Sequence, residues 1–211
     1  MSHPAPGENG AVPRPTRMPR DQRRLQLLDV AGRVFAAKGY HNAAMDDIAE
    51  AAGVSKPVLY QHFPSKLDLY LALVDRAAEE IVELVRSAIA GETDNAHKVS
   101  AALATFYEFV AQSGKQFRFV FESDLIGEPQ VAERIWQAHQ DLAEAIGQSI
   151  AHDTRMPPEH ARLLGISLVG LAQVGARYWV SELRQDLSAQ DASALIATLA
   201  WRGIRGFPLA D

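Results

Sequence analysis

Cysteine is absent from the 211-residue chain, which excludes disulfides, thiolate metal sites and cysteine nucleophiles. The absence fits a reducing compartment, so we expect a cytoplasmic protein. The first twenty residues lack the apolar core of a signal peptide, and we do not expect export. No run of about 18 uninterrupted apolar residues occurs, so the sequence predicts neither a membrane span nor a membrane partner.

Catalytic and metal-binding patterns are also missing from the sequence. Paired carboxylates, G-x-S-x-G, H-E-x-x-H and glycine-rich phosphate loops do not occur. The seven histidines never lie four residues apart, the spacing that would place two ligands on one helical face. We therefore expect no catalysis, no metal site and no cofactor.

Alternating strand patterns are absent, and helical spacing is the only periodicity. Apolar residues recur three and four positions apart, as Leu27, Leu28 and Ala31 do near the start. Glycine and proline interrupt the pattern at regular intervals. The sequence predicts an all-α protein of about nine helices. Their expected ranges are 20–38, 45–52, 56–62, 66–90, 95–113, 115–124, 128–152, 157–184 and 188–205.

The turn Ala52-Gly53-Val54-Ser55 lies between two short predicted helices. Gly53 can adopt the positive φ that ends the first helix, and Val54 can fill the angle between the two. Ser55 can cap the second helix, which Pro64 keeps short. These features are typical of a helix-turn-helix, whose second helix enters the DNA major groove. We expect residues 20–65 to form this DNA-binding head and residues 66–211 to form a ligand-binding and dimerisation body.

Charge is distributed unevenly along a chain whose formal net charge is −5. Residues 1–68 carry nine basic and seven acidic side chains, which leaves twelve and nineteen for the remainder. We expect residues 1–19 to be a disordered basic arm, and Arg20 and Arg24 to extend its positive charge into the first helix. The arm can bind DNA phosphates, or it can be a solubility tail on an acidic protein.

The head resembles the TetR family of bacterial transcription regulators. The resemblance covers residues 20–70 and rests on Gly39-Tyr40, Asp47-Ile48-Ala49, Ala52-Gly53-Val54-Ser55, Leu59-Tyr60-Gln61-His62-Phe63 and Lys66. The family usually has a threonine that caps the second helix, where this chain has Ala43-Ala44. Loss of such a cap costs about 1 kcal/mol, and Asn42 is a candidate substitute.

The resemblance implies which side chains contact DNA. Base edges would meet Lys56, Pro57, Val58 and Gln61, because lysine can donate to guanine, glutamine to adenine, and apolar groups contact the thymine methyl. Phosphates would meet Tyr60, His62 and Lys66. Lys66 opposes the dipole of the helix it starts, so a structural role explains it poorly. Val58 could instead pack in the core, and His62 could be a capping or packing histidine.

A single head reads too few base pairs for a genome, so we expect a homodimer on palindromic double-stranded DNA. In the TetR family the last two helices pair with their copies. Here they are strongly apolar and carry Gly165, Gly170 and Gly175, a spacing that favours close helix packing. Leu195, Leu199, Ile204 and Phe207 would form one apolar face.

The later stretches FRFVFESDLIGEPQVA and ARYWV, together with the head, resemble actinobacterial members of the family that regulate fatty-acid synthesis. That similarity implies a long-chain acyl-coenzyme A effector. The expected cavity residues are Phe106, Phe109, Phe117, Phe121, Leu125, Trp136, Leu168, Leu171, Tyr178 and Trp179. Most of these aromatic residues could instead be core. Arg118 and Glu122 are spaced to pair on one helix.

Two other functions agree with the same features. A repressor of an efflux or catabolic operon would keep the fold and sense another apolar molecule. A helical interaction protein would have lost DNA binding, for which the missing threonine is the only support. Lys56, Tyr60 and Lys66 argue against that interpretation.

Overall fold

A computed structural model describes residues 18–112, 125 and 127–203. The described residues form eight α-helices and no strand, which confirms the all-α prediction. The helix predicted at 115–124, with the Arg118–Glu122 pair, lies outside them. The helices are α1 (Arg20–Asn42), α2 (Met45–Ala51), α3 (Lys56–His62), α4 (Lys66–Ala90), α5 (Asn95–Gln112), α6 (Pro129–Thr154), α7 (Pro158–Tyr178) and α8 (Ala189–Arg202). A π-helical turn, Trp179–Leu183, follows α7 directly.

The turns of the head follow the predicted glycines. Gly39 has φ 73° and breaks the regular geometry of α1, and Gly53 has φ 64° at the end of α2. Nothing lies within 4 Å of the position that a Gly53 Cβ would occupy, so the requirement there is conformational. Val54 packs against the core beside it. The backbone therefore leaves α2 and enters α3 as a helix-turn-helix requires.

The predicted cap of α3 is wrong, whereas the predicted cap of α4 is confirmed. Ser55 makes no side-chain capping bond. Pro57 has no amide hydrogen to donate, and the Val58 amide donates to the Ser55 carbonyl oxygen at 3.0 Å. Ser65 does cap α4, since its Oγ accepts from the Asp68 amide at 3.0 Å.

Helix α2 starts with half of a capping arrangement. Ala44 is its N-cap residue and has no side-chain acceptor, but the Asp47 carboxylate accepts from the Ala44 amide at 3.2 Å. Lys38 holds that carboxylate at 2.7 Å and lowers the pKa of Asp47. Asn42 does not replace the missing threonine, because its amide donates to the Lys38 carbonyl oxygen of α1. The Lys38 ammonium and the Ala44 backbone amide thus orient the Asp47 carboxylate toward the start of α2.

Two buried apolar clusters meet inside α4. The head cluster contains Leu27, Ile48, Leu59 and Phe63 with α4 residues up to Val74. The body cluster begins on α4 at Ala77 and continues through α5 to α8. Leu125, Val131 and Ile135 belong to the head cluster although they follow α5 in sequence. The division between head and body at residue 65 stays a prediction. The boundary between the two buried clusters lies two to three helical turns after that residue, within α4.

Helices α6 and α7 approach each other closely at Gly165. A Cβ at that position would lie 2.3 Å from the Ala143 carbonyl oxygen, so only glycine fits without a backbone shift. A Cβ at Gly175 would lie 2.8 Å from the Tyr107 hydroxyl, whereas Gly170 has open space beside it. The close packing predicted from these glycines therefore occurs at two of the three.

The segment Pro158–Leu183 carries more apolar side chains than its packing within the chain buries. Its 26 residues include an 18-residue window of mean hydropathy 1.3, which by length and composition alone would suit a membrane-spanning helix. Only 28% of that window is buried within the chain. One side packs on α6, and the other presents large apolar side chains to solvent. An exposed apolar surface of this kind is typical of an interaction site.

We expect Ala44→Thr to stabilise the protein by about 1 kcal/mol, because the hydroxyl would accept from the Asp47 amide and complete the capping box. Ala44 is exposed, so the larger side chain has room. Ala44→Val is the matched control, since valine has the shape of threonine without the hydroxyl. Urea denaturation measures both variants. Equal stability of the threonine and valine variants would contradict the capping argument.

Candidate nucleic-acid interface and cavity

Helix α3 is anchored on one side and open on the other. Leu59 within the helix and Phe63 just after it are almost completely buried in the head cluster. Lys56, Pro57, Tyr60 and Gln61 are exposed on the outer side, and Val58 and His62 are half-buried. The apolar anchor therefore turns the predicted base-reading side chains outward. A rigid exposed helix of this size suits the major groove of DNA.

Lys56 forms an ion pair with an acidic neighbour. Its ammonium lies 2.8 Å from the Asp46 carboxylate, and hydrogen bonding to that carboxylate raises the pKa of Lys56. Both side chains are mostly exposed, so the pair adds little to stability. A guanine or phosphate acceptor can replace Asp46 at small cost. Asp46 therefore acts as a competitor for any ligand of Lys56.

Cationic groups gather where the start of α1 meets the end of α3. The Arg24 guanidinium lies 4.3 Å from the centre of the Phe63 ring and donates to the His62 carbonyl oxygen at 3.2 Å. Arg20 is exposed beside them. Burial, and then the charges of Arg20, Arg24 and Arg23, lower the pKa of His62. The structure thus brings Arg20, Arg24 and His62 together on one edge of the head, next to α3.

Lys66 has structural partners that sequence reasoning missed. Its ammonium donates to the carbonyl oxygens of Tyr40 at 2.9 Å and Ala43 at 3.0 Å, and it lies 4.4 Å from the centre of the Tyr40 ring. The view that a structural role explains Lys66 poorly is wrong, because these acceptors outweigh an unfavourable helix dipole. Lys66 ties α4 to the turn between α1 and α2. Its phosphate contact stays a prediction.

The body contains an apolar cavity of about 680 Å³ that opens to solvent and is lined by residues of α4 to α8. This volume is in the range of small-molecule binding sites. Three of the residues predicted to contact a ligand line this cavity: Phe106, Leu168 and Leu171. Most other lining side chains are aliphatic, including Val85 and Ile89 of α4. Such a wall favours contact with apolar groups of a ligand.

The other predicted cavity residues lie elsewhere. Trp136 and Tyr178 do not line this cavity, and these residues are 51% and 59% exposed on the surface. Phe109 and Trp179 are buried in the body cluster away from it, where the Trp179 indole donates to the Leu187 carbonyl oxygen at 2.8 Å. Leu125 belongs to the head cluster. Phe117 and Phe121 lie outside the described residues.

Sequence reasoning also missed polar cavity residues, notably Lys98 and Asp153. The helical spacing of Lys98 relative to Phe106 could have indicated that Lys98 lies on the cavity wall. Lys98, Ala102 and Phe106 recur every four residues along α5 and form one stripe on the cavity wall.

Comparisons with known proteins agree with this architecture. A family model described as bacterial regulatory proteins, tetR family, matches residues 27–73. The chain is 42% identical to the HTH-type transcriptional activator FasR of Mycolicibacterium smegmatis over 202 residues, which cover 95% of this chain and 91% of that protein.

Solved structures share the fold. The crystal structure of a TetR-like transcriptional regulator from Rhodococcus sp. RHA1 superposes with a TM-score of 0.70 at 28% identity, covering 90% of this chain and all of that one. The transcriptional regulator FadR from Bacillus subtilis in complex with stearoyl-CoA has a TM-score of 0.74 at 18% identity, covering 85% of this chain and 98% of that one. At that identity the likeness shows the fold alone.

Proposed function

Because the chain belongs to the TetR family of bacterial transcription regulators, we propose that it binds palindromic operator DNA as a homodimer and is released by long-chain acyl-coenzyme A. Its regulated genes would be those of fatty-acid or lipid synthesis. The observation that carries the proposal is the apolar cavity, whose wall includes the same helix, α4, that holds the head. FasR supplies the similarity at the level of the whole chain, and the FadR complex is a relative in fold that holds an acyl-coenzyme A.

Base readout is assigned to Lys56, Pro57, Val58 and Gln61, on the α3 surface that the apolar anchor leaves open. Arg20, Arg24, Tyr60, His62 and Lys66 would hold phosphates on either side. The cationic edge at Arg20 and Arg24 supports this assignment, since it lies beside the end of α3. The predicted arm, residues 1–19, would add further phosphate contacts, and residues 1–17 of it lie outside the described residues.

Dimerisation is assigned to the exposed apolar sides of α7 and α8. Val174 is 69% exposed and Leu195 is 47% exposed. Leu163 and Tyr178 add to the same pair of helices, as do Leu164 and Trp201, which also line the cavity. Large apolar side chains concentrated on two helices favour burial against a second copy over contact with water. The two copies would then form a four-helix interface and position two heads for adjacent half-sites.

Coupling between cavity and head is assigned to α4. Asp75 accepts from Arg134 of α6 at 2.5 Å, and its neighbour Arg76 donates to Asp29 of α1 at 2.6 Å. Consecutive residues of one helix therefore pair with α6 and with α1. A ligand that displaces the Val85 and Ile89 end of α4 would move the Asp29 contact as well. It shifts the equilibrium only through its different affinities for the two arrangements.

Chain-length selectivity follows from the apolar wall. Each buried methylene contributes about 0.8 kcal/mol, so four further carbons contribute roughly 3 kcal/mol, or about a hundredfold in affinity. We expect acyl-coenzyme A of increasing length to release the protein from a labelled palindromic operator at decreasing concentrations. Fluorescence anisotropy measures the release.

A matched pair of variants on α5 tests the site of this effect. Ala102→Phe fills the cavity and is expected to abolish release while operator binding persists. Ala104→Phe adds the same ring at an exposed position and is expected to respond normally. Release that is independent of chain length would contradict the acyl proposal. Release only by other apolar compounds would favour the efflux or catabolic repressor instead.

The dimer interface is tested by placing charge on the exposed apolar side. We expect Val174→Glu combined with Leu195→Glu to yield monomers, because carboxylates would be buried without partners. Operator affinity should fall by at least about a hundredfold, since one head must then bind alone. Light scattering and anisotropy measure the two effects. Leu84→Glu, at an exposed leucine of α4, is the control; dimers of the double variant would rule out this interface.

A further inference from the structure

Polar side chains of the cavity gather at one end. Lys98 and Asn95 come from the first turn of α5, and Ser149, Asp153 and Thr154 come from the last two turns of α6. The rest of the lining is nearly all apolar. Apart from Ser167, the cavity thus has an apolar part and a polar end, the distribution expected for an amphipathic ligand.

An ion pair lies at the polar end. The Lys98 ammonium lies 2.7 Å from the Asp153 carboxylate, and the side chains are only 18% and 17% exposed. Among the residues that the structure describes, Lys98 is the only cationic side chain lining the cavity and Asp153 the only anionic one. A partly buried charge is costly to leave unpaired, so any ligand that separates the two must offer a replacement.

The position of each charge is unfavourable for its own helix. Lys98 lies near the positive end of α5, and Asp153 lies near the negative end of α6. Neither residue is therefore explained by local helix stability. Asp153 also has a second partner, since its other carboxylate oxygen lies 3.0 Å from His152 Nδ1. Hydrogen bonds from Lys98 and then His152 lower the pKa of Asp153. Asp153 can thus release Lys98 and retain a contact at the cavity edge.

We propose that Lys98 binds the anionic head of the effector, and that Asp153 is an intramolecular competitor which the head group replaces. This inference rests on the proposed function, because it identifies the head-group site of the same cavity. The alkyl chain would extend along Ala102, Phe106 and Leu142 toward the interior. The shared chemistry is an oxyanion on a long alkyl chain, which either a fatty-acid carboxylate or a coenzyme A phosphate provides.

The two halves of the ion pair then have opposite effects on binding. Lys98→Met removes the ligand's partner and should weaken anionic amphipaths by about tenfold, since charge-assisted hydrogen bonds are among the strongest. Asp153→Asn removes the competitor and should tighten the same ligands by several-fold. An ion pair that only fastens α5 to α6 would not give opposite signs, because losing either partner would loosen the same contact.

Calorimetric titration of the full-length protein with palmitate, palmitoyl-coenzyme A and hexadecanol tests the inference. Opposite shifts for palmitate identify a carboxylate site, and opposite shifts for palmitoyl-coenzyme A alone identify a phosphate site. Hexadecanol has no anion, so its affinity should change by less than about twofold in either variant. Lys38→Met is the matched control, because Lys38 and Asp47 form another Lys–Asp pair at 2.7 Å, in the head. Thermal unfolding verifies that each variant is folded.

The outcomes separate the two proposals. If the wild-type protein binds none of the three probes, both the acyl proposal and the head-group inference are contradicted. If it binds an acyl probe and the two variants shift its affinity in the same direction, or not at all, only the Lys98 inference fails.

Discussion

The organisation of this protein depends on α4 being a single continuous helix. Its 25 residues place Leu69 to Val74 in the head cluster and Ala77 to Val85 in the body cluster, so neither core is complete without it. A helix of that length spans about 37 Å and bends little unless a proline, a π-bulge or an inserted group interrupts its hydrogen bonds. Under the proposed function, a displacement at its cavity end would therefore be transmitted to the head. Lys66 fixes the other end against the turn at Tyr40 and Ala43.

Under the proposed function, the same electrostatic arrangement recurs at both functional ends. Asp46 occupies Lys56 on the DNA-reading surface, and Asp153 occupies Lys98 in the cavity. Each lysine is thereby neutralised until an anion of suitable geometry replaces the aspartate. The competition lowers affinity for stray anions, and the ligand must supply further contacts to win. Selectivity then comes from the surrounding surface: base edges around Lys56, and an apolar wall beyond Lys98.

Local patterns predicted most of the fold, because helix boundaries depend on neighbouring residues. The sequence alone predicted the positive φ of Gly53, the Ser65 cap and the buried anchors Leu59 and Phe63. Predictions failed where the deciding partner was distant in sequence or local chemistry was misjudged. Lys66 finds its acceptors 23 and 26 residues away, and Pro57 removes a donor that Ser55 needed. Most of the predicted cavity residues were aromatic, yet Trp179 packs in the core of the body. Lys98 and Asp153, 55 residues apart, could be paired only in three dimensions.

The absence of native cysteine allows the most direct test of signal transmission through α4. A spin label attached at Glu50→Cys, an exposed position of α2 outside the predicted DNA contacts, would report the separation of the two heads in the proposed dimer. Pulsed electron–electron double resonance with and without palmitoyl-coenzyme A measures that distance. We predict that the ligand shifts the mean distance between the labels while operator affinity falls. Release of DNA with an unchanged distance distribution would contradict a movement of the heads driven through α4.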